Sequence, residues 1–389
     1  MRYVRWIALA AVLVLVSSGA IYAQMREPTP TGGVVDTGAP RPVVDGNRIV
    51  DARDGLPWVP RGVNWSSFEY ACAQGWGMSA LDTTGDQDQY DREAEVIADW
   101  GVNTVRLPLN QDCWLGTRGA PVSDQFDERT PSDYRADVAD FVSSLNRAGI
   151  VVVLDLHSRK RMGQPEFGNV AMPDSQSLTF WRSVARDYAH NPSVMFDAFN
   201  EPYSRYNPTG SKLVFDLTWK CWRDGGCQAP VEDDQTATQG RVTYTVQGMA
   251  SVVAEIRDAG AAQPILLGGL DYSNDLSHWL QFAPDDDQLV ASFHSYDFKD
   301  CASQKCWDEV IAPIADRVPV LTGELGADDP TGGYVSDYLA WADAHDIGSL
   351  FWVWADHPSD PMALVRNESG SPTAYGALAR RYLREAANS

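Results

Sequence analysis

The sequence predicts an α/β fold, a single (β/α)8 TIM barrel preceded by a small N-terminal hairpin. Three observations lead there. Eight short apolar runs recur along the chain, often β-branched and without alternation, the pattern of strands buried on both faces. Helical periods separate them, so strand and helix alternate throughout. After about residue 44 no Pro/Gly-rich linker and no repeat of solenoid period interrupts the chain, which argues for one domain. The competing architecture is an open doubly wound sheet. It usually carries a Gly-x-Gly-x-x-Gly turn after its first strand, and this sequence has none there.

The elements follow in order. Residues 1–23 stand apart: Arg2 and Arg5 give a basic start, Trp6 to Val16 is unbroken apolar sequence, and Ala23 supplies a small residue at a cleavage point. This predicts a secretory signal peptide. The alternative is an uncleaved anchor, since the 18 residues from Trp6 to Ala23 barely suffice to cross a bilayer. Residues 24–44 hold four prolines and three glycines with no apolar period, and read as a flexible linker. The barrel domain is expected over residues 45–389. A hairpin comes first, with arms at 48–52 and 57–60 around Asp54-Gly55, placed to close the bottom of a barrel. The strands are expected at 58–64, 103–107, 150–156, 194–199, 264–267, 289–293, 318–321 and 349–354. Helical periods lie at 133–148, 177–188, 242–259 and 334–345, and breaks such as Ala148-Gly149 stop a helix just before the next strand. Residues 204–240 have no strong period and read as an elaborated loop.

Composition narrows the function classes. The 389 residues carry a net charge of −22, with 44% hydrophobic and 22% charged residues, so a folded chain is expected. That acidity, with no basic stripe, argues against nucleic acid and against docking on anionic lipid. Fourteen tryptophans suit a neutral ring-shaped ligand such as a sugar, though a Trp-rich core has the same composition. The six cysteines all lie outside the leader, and an even count in an exported chain suggests disulfides. Cys221–Cys227 and Cys301–Cys306 are favoured as local staples, which leaves Cys72–Cys113. Their spacing is not Cys-x-x-Cys and no His pair lies nearby, so no metal site is read.

Polar residues sit at the C-terminal ends of the predicted strands: Arg106, His157, Asn200-Glu201, His294 and Tyr296, Glu324, and Trp352 with Trp354. In a barrel these ends share one face, where active sites form. A charge there is costly unless it is paired or used. Glu201 and Glu324 are carboxylates on different strands. Paired carboxylates are what glycosidic bond cleavage requires, one to protonate the leaving oxygen and one to attack the anomeric carbon or activate water. A cation beside one carboxylate decides which of the two ionises, and Arg106 is the candidate.

These residues stand in motifs: Gly101-Val-Asn-Thr-Val-Arg106-Leu-Pro, Leu154-Asp-Leu-His157, Phe199-Asn200-Glu201-Pro202, Ser292-Phe-His294-Ser-Tyr296, Thr322-Gly-Glu324-Leu-Gly and Phe351-Trp352-Val-Trp354. In this order, over about residues 45 to 385, they resemble glycoside hydrolase family 5, the cellulase-like family of retaining clan A barrels. The resemblance implies that Glu201 is the acid/base and Glu324 the nucleophile of a retaining reaction. Asn200 then meets the 2-hydroxyl, while Arg106 and Tyr296 hold the nucleophile ionised and in place. His157 and His294 line the subsite of the reacting sugar, and Trp354 is its aromatic floor, with Trp352 as the alternative. The expectation is a secreted, monomeric β-glycosidase with no cofactor and no metal. Its substrate is a β-1,4-glucan-like polysaccharide or oligosaccharide; mannan, xyloglucan or a glycoconjugate is the alternative. A non-catalytic sugar-binding barrel is the alternative of another class. Membrane association follows only from an uncleaved leader.

The remaining residues have plainer readings. His190, His278 and His345 are read as structural, and His357 as a residue that either lines the cleft or does not. Trp65, Trp76, Trp114 and Trp222 are read as loop anchors. Asp155 is expected to point away from His157 along its strand or to pair structurally. Asn64-Trp-Ser66 fits a glycosylation sequon but lies at a strand end, where a glycan fits poorly.

Overall fold

The computed structural model describes residues 37–388 apart from 82–86, 123–128, 162–166, 208, 232–241, 330 and 358. The signal segment and most of the expected linker lie outside the described residues. Eight parallel strands form the barrel: β1 (Arg61–Trp65), β2 (Thr104–Asn110), β3 (Val151–Lys160), β4 (Val194–Asp197), β5 (Ile265–Gly268), β6 (Leu289–Tyr296), β7 (Val320–Gly326) and β8 (Gly348–Trp354). Each pairs with the next, and β8 pairs with β1, so the sheet is closed. The main helices outside it are α1 (Gln87–Ala98), α2 (Pro131–Arg147), α3 (Ser175–Tyr188), α4 (Met249–Asp258), α5 (Trp279–Phe282), a helical stretch over 304–315 (α6), α7 (Gly333–Asp343) and α8 (Ala374–Ala387).

The absence of alternation in the strand sequences has a direct cause. Val152 and Leu154 pack outward under the helices, while Val151 and Val153 point into the barrel with Met195, Leu266, Val290, Leu321 and Leu350. Both faces are buried, so both are apolar. Strand period two then carries the inner row from apolar to polar toward the C-terminal end. On β3 that row runs Val151, Val153, Asp155, His157; on β6 it runs Val290, Ser292, His294, Tyr296. The polar residues therefore lie within the strands, which extend further than expected: β3 to Lys160, β6 to Tyr296 and β7 to Gly326.

The N-terminal hairpin is present with different arms. Pro42–Asp45 pairs with Arg48–Asp51, so the first arm uses residues expected in the linker, and Pro57 contributes only a bridge to Val50. Ile49 packs against the inner apolar row and plugs the barrel bottom. A second difference lies before α4. Thr243–Thr245 is a strand paired with Gln228–Pro230, where helix was expected from residue 242. The Thr-Tyr-Thr sequence, half exposed at an edge, suits an extended strand. The disulfides are Cys72–Cys113, Cys221–Cys227 and Cys301–Cys306. Among the described residues no helix is long and apolar enough to cross a membrane.

Candidate active site

Arg106 projects from the inner row of β2 and is fully buried. Its Nε donates to Asp197 Oδ2 at 2.9 Å, and its Nη1 donates to Asn64 Oδ1 and to Glu324 Oε1, both at 3.0 Å. Its Nη2 donates to Asn200 Oδ1 at 2.8 Å and lies 3.0 Å from Asp155 Oδ2. One cation thus faces three buried carboxylates, Asp155, Asp197 and Glu324. Burial pushes Asp197 up to about 8, against the pull of Arg106, and the Asp155 and Glu324 charges act in the same sense as burial.

Glu324 is fixed at both oxygens. Oε1 takes Arg106, and Oε2 accepts from the Tyr296 hydroxyl at 2.5 Å. A Cβ on the preceding residue, Gly323, would meet Ser292 Oγ at 2.7 Å and His294 Nε2 at 3.2 Å, so glycine there lets β7 and β6 close around the carboxylate. Glu201, beyond β4, hydrogen-bonds through Oε1 to His294 Nδ1 at 3.0 Å, and the same nitrogen is 3.5 Å from Glu324 Oε2. Burial lowers His294 to about 3 despite the Glu324 charge beside it, so its ring is neutral. Burial raises Glu201, with Lys299, His157 and Arg106 acting against it. Its side chain keeps 18% exposure against 5% for Glu324, so it is the more open of the two carboxylates. Asn200 accepts from Arg106 through Oδ1 and makes no hydrogen bond through Nδ2 among the described residues.

His157 hydrogen-bonds through Nδ1 to Asp155 Oδ2 at 2.8 Å. Burial opposes its protonation, but the Asp155 bond and charge outweigh it and raise the pKa. Its ring lies parallel to Trp352, centroids 5.7 Å apart. Asp155 therefore does not point away from His157: residues two apart on a strand share a face, and the two pair on it.

The expectation for Trp354 also changes. Trp354 is 3% exposed, stacks edge-on against Trp100 and donates Nε1 to Glu93 Oε1 at 2.6 Å. Trp352, half-buried and beside His157, is the ring open to a ligand there. The two do not share a face: between them the Trp352–Val353 peptide is cis, and the β8–β1 register shifts between Phe351 and Trp354. Trp114 and Trp222 are buried anchors, whereas Trp76 is 51% exposed. Asn64, Asp155 and Asp197 were not among the expected site residues. Each is a polar residue in or at the end of an apolar run, a pattern that marks a buried polar group without marking its role. Asn64 is wholly buried, which rules out a glycan on it.

Glu201, His294 and Glu324 place one donor atom each within 4.8 Å of one another, a set a divalent ion could use. At Glu324, however, both oxygens are already engaged by Arg106 and Tyr296.

The family model for cellulase (glycosyl hydrolase family 5) matches residues 61–358, all eight strands of this barrel. The chain belongs to glycosyl hydrolase family 5. Curated relatives within reach include an endoglucanase of Paenibacillus polymyxa, 23% identical over 83% of this chain and 82% of that protein. Cellodextrinase A of Ruminococcus flavefaciens is 25% identical over 57% of this chain, and the match spans 56% of the cellodextrinase. Among solved structures, β-glucanase SdGluc5_26A of Saccharophagus degradans in complex with cellotetraose superposes with a TM-score of 0.67 at 20% identity, covering 94% of this chain and 99% of that one. This family membership makes the protein a glycoside hydrolase.

Proposed function

We propose that the protein is a secreted, retaining endo-β-glucanase in which Glu324 attacks the anomeric carbon and Glu201 serves as acid, then base. The observation that carries this reading is the carboxylate pair. Oxygens of Glu201 and Glu324 come within 4.8 Å of each other. Retaining enzymes hold their carboxyls about 5–5.5 Å apart, and inverting ones about 6.5–9.5 Å to admit a water. The two environments also differ in the required sense. Glu324 accepts hydrogen bonds from Arg106 and the Tyr296 hydroxyl, while burial raises the Glu201 pKa, the sense an acid requires.

The reaction then runs as follows. Glu324 displaces the leaving group while Glu201 protonates the departing oxygen. The ester removes the Glu324 charge, which lowers the Glu201 pKa, so Glu201 can take the proton of an incoming water. Neutral His294 orients Glu201. Asn200 Nδ2 is free to donate to the 2-hydroxyl, and the Trp352 face suits the C–H face of a pyranose. The glucan substrate rests on the names of the relatives, an endoglucanase and a cellotetraose-bound β-glucanase. Secretion rests on the leader sequence and the three disulfides.

The test is a hydrolysis screen of wild type, Glu324→Ala and Glu201→Ala against β-glucan, mannan, xylan, xyloglucan and aryl glucosides. β-Glucan should be cleaved, Glu324→Ala should retain less than about 1% of that rate, and Glu201→Ala should keep activity on aryl glucosides with good leaving groups. Cleavage of mannan alone, or an active Glu324→Ala, would overturn the reading.

A further inference from the structure

A second cavity on the same barrel face takes no part in this chemistry. It measures about 310 Å3 and lies beside the ends of β1 and β8, across the ring from β4 and its Glu201. Trp65, Trp354, Tyr70 and Trp76 line it, and Trp76 stands edge-on to Tyr70 with centroids 5.3 Å apart. Three carboxylates line the same space: Glu93 from α1, and Asp356 and Glu368 from the segment after β8. Glu93 is only 8% exposed. Its Oε1 accepts from both indoles, at 2.6 Å from Trp354 and 3.4 Å from Trp65, and its Oε2 has no hydrogen-bond partner among the described residues. Among the described residues none of the three makes an ion pair and no Lys or Arg lines the cavity; exposed His357 does. Burial raises the Glu93 pKa, and the Glu368 and Asp356 charges raise it further.

A neutral sugar would satisfy the hydrogen bonds of this cavity and leave its negative charge uncompensated. A ligand carrying an ammonium group would meet the carboxylates, while aromatic faces accept both a pyranose C–H face and a cation. The volume is at the lower end of small-ligand sites, the scale of one sugar unit rather than a longer segment. We propose that this cavity is a subsite for a protonated amino sugar, so that β-linked chains containing glucosamine are bound in preference to plain glucan. The proposal rests on the β-glycosidase reading above and adds a substrate class to it.

The test is calorimetric titration of Glu324→Gln protein at pH 5.5 and low salt, with cellotetraose and with its amino counterpart, the β-1,4 tetramer of glucosamine. The amino tetramer should bind about tenfold tighter or more. Adding Asp356→Asn and Glu368→Gln, both on exposed residues, should abolish that preference and bring the two tetramers within about twofold of each other. Cellotetraose binding with no amino-sugar preference overturns the subsite and leaves the glucanase reading intact. A preference that survives the double substitution also overturns it, since general attraction to an acidic protein would then explain the binding. If neither tetramer binds, both readings fall.

Discussion

At the scale of single residues, the site is organised by one guanidinium. Arg106 has five partners, and the position of Glu324 follows from them and from Tyr296. Glu201 is tuned differently, by burial, with nearby cations restraining the rise. Lys299 is the largest of those restraints, ahead of His157 and Arg106; Asp155 acts in the opposite sense. Its ammonium sits 4.0 Å over the Tyr272 ring. As the proposed acid, Glu201 must be protonated to act, so activity is expected below its folded pKa and lost as pH rises through it. Lys299→Met removes a charge that lowers that pKa. The alkaline limb of the kcat/KM profile should therefore move to higher pH, with the acidic limb unmoved. An alkaline limb that stays in place or moves down would contradict the assignment of Glu201 as acid. The strand-end residues Arg106, Glu201 and Glu324 were legible in the sequence because charge at the end of an apolar run is costly. Asp197 and Asn64 were harder to see. Each lies inside an apolar run, and nothing local distinguishes a site member from a buried hydrogen-bonding residue.

At the scale of elements, strand periodicity explains most of the site and one irregularity explains the exception. Asp155 and His157 on β3, and His294 and Tyr296 on β6, share the inner face as alternation requires. On β8 the same rule would place Trp352 and Trp354 together. The register shift against β1 separates them, sending Trp352 to His157 and Trp354 to Glu93 and Trp100. Nothing in the local residue pattern marks that irregularity, so alternation alone does not sort two tryptophans two residues apart. The hairpin was misjudged for a related reason. Its first arm, Pro42–Asp45, carries two valines among prolines and looks like linker until Arg48–Asp51 pairs with it. The Trp pair gives a clean contrast. Trp352→Ala should cut kcat/KM on β-glucan at least tenfold with little change in stability, because the ring is only half-buried. Trp354→Ala should lower stability by about 3–5 kcal/mol, since it empties a packed site and strips Glu93 of its strongest donor. Urea denaturation beside steady-state kinetics separates the two. Equal stability losses would mean that both rings are core.

At the scale of the whole molecule, the barrel is polar at one end and sealed at the other. The hairpin's Ile49 closes the apolar bottom, and the candidate site occupies the top. That polarity is readable in the sequence, because most of the apolar runs end in a hydrogen-bonding residue. The disulfides tie down segments on the outside of this frame. Cys72–Cys113 bridges 41 residues and the other two bridge 6 and 5. Loop-closure entropy gives about 4 kcal/mol for the long bridge and about 2 kcal/mol for each short one. Reduction should therefore lower the melting temperature, by roughly 10 °C or more. An unchanged melting temperature, with six thiols titrating in the untreated protein, would refute the bridges.

The central claim is that two carboxylates perform a double displacement on a β-glucosidic bond. Proton NMR of the first products from a cello-oligosaccharide, taken before mutarotation, tests it most directly. The β-anomer should accumulate first and the α-anomer appear only as the mixture equilibrates. First release of the α-anomer would mean direct attack by water, and would contradict Glu324 as nucleophile despite its place beside Arg106.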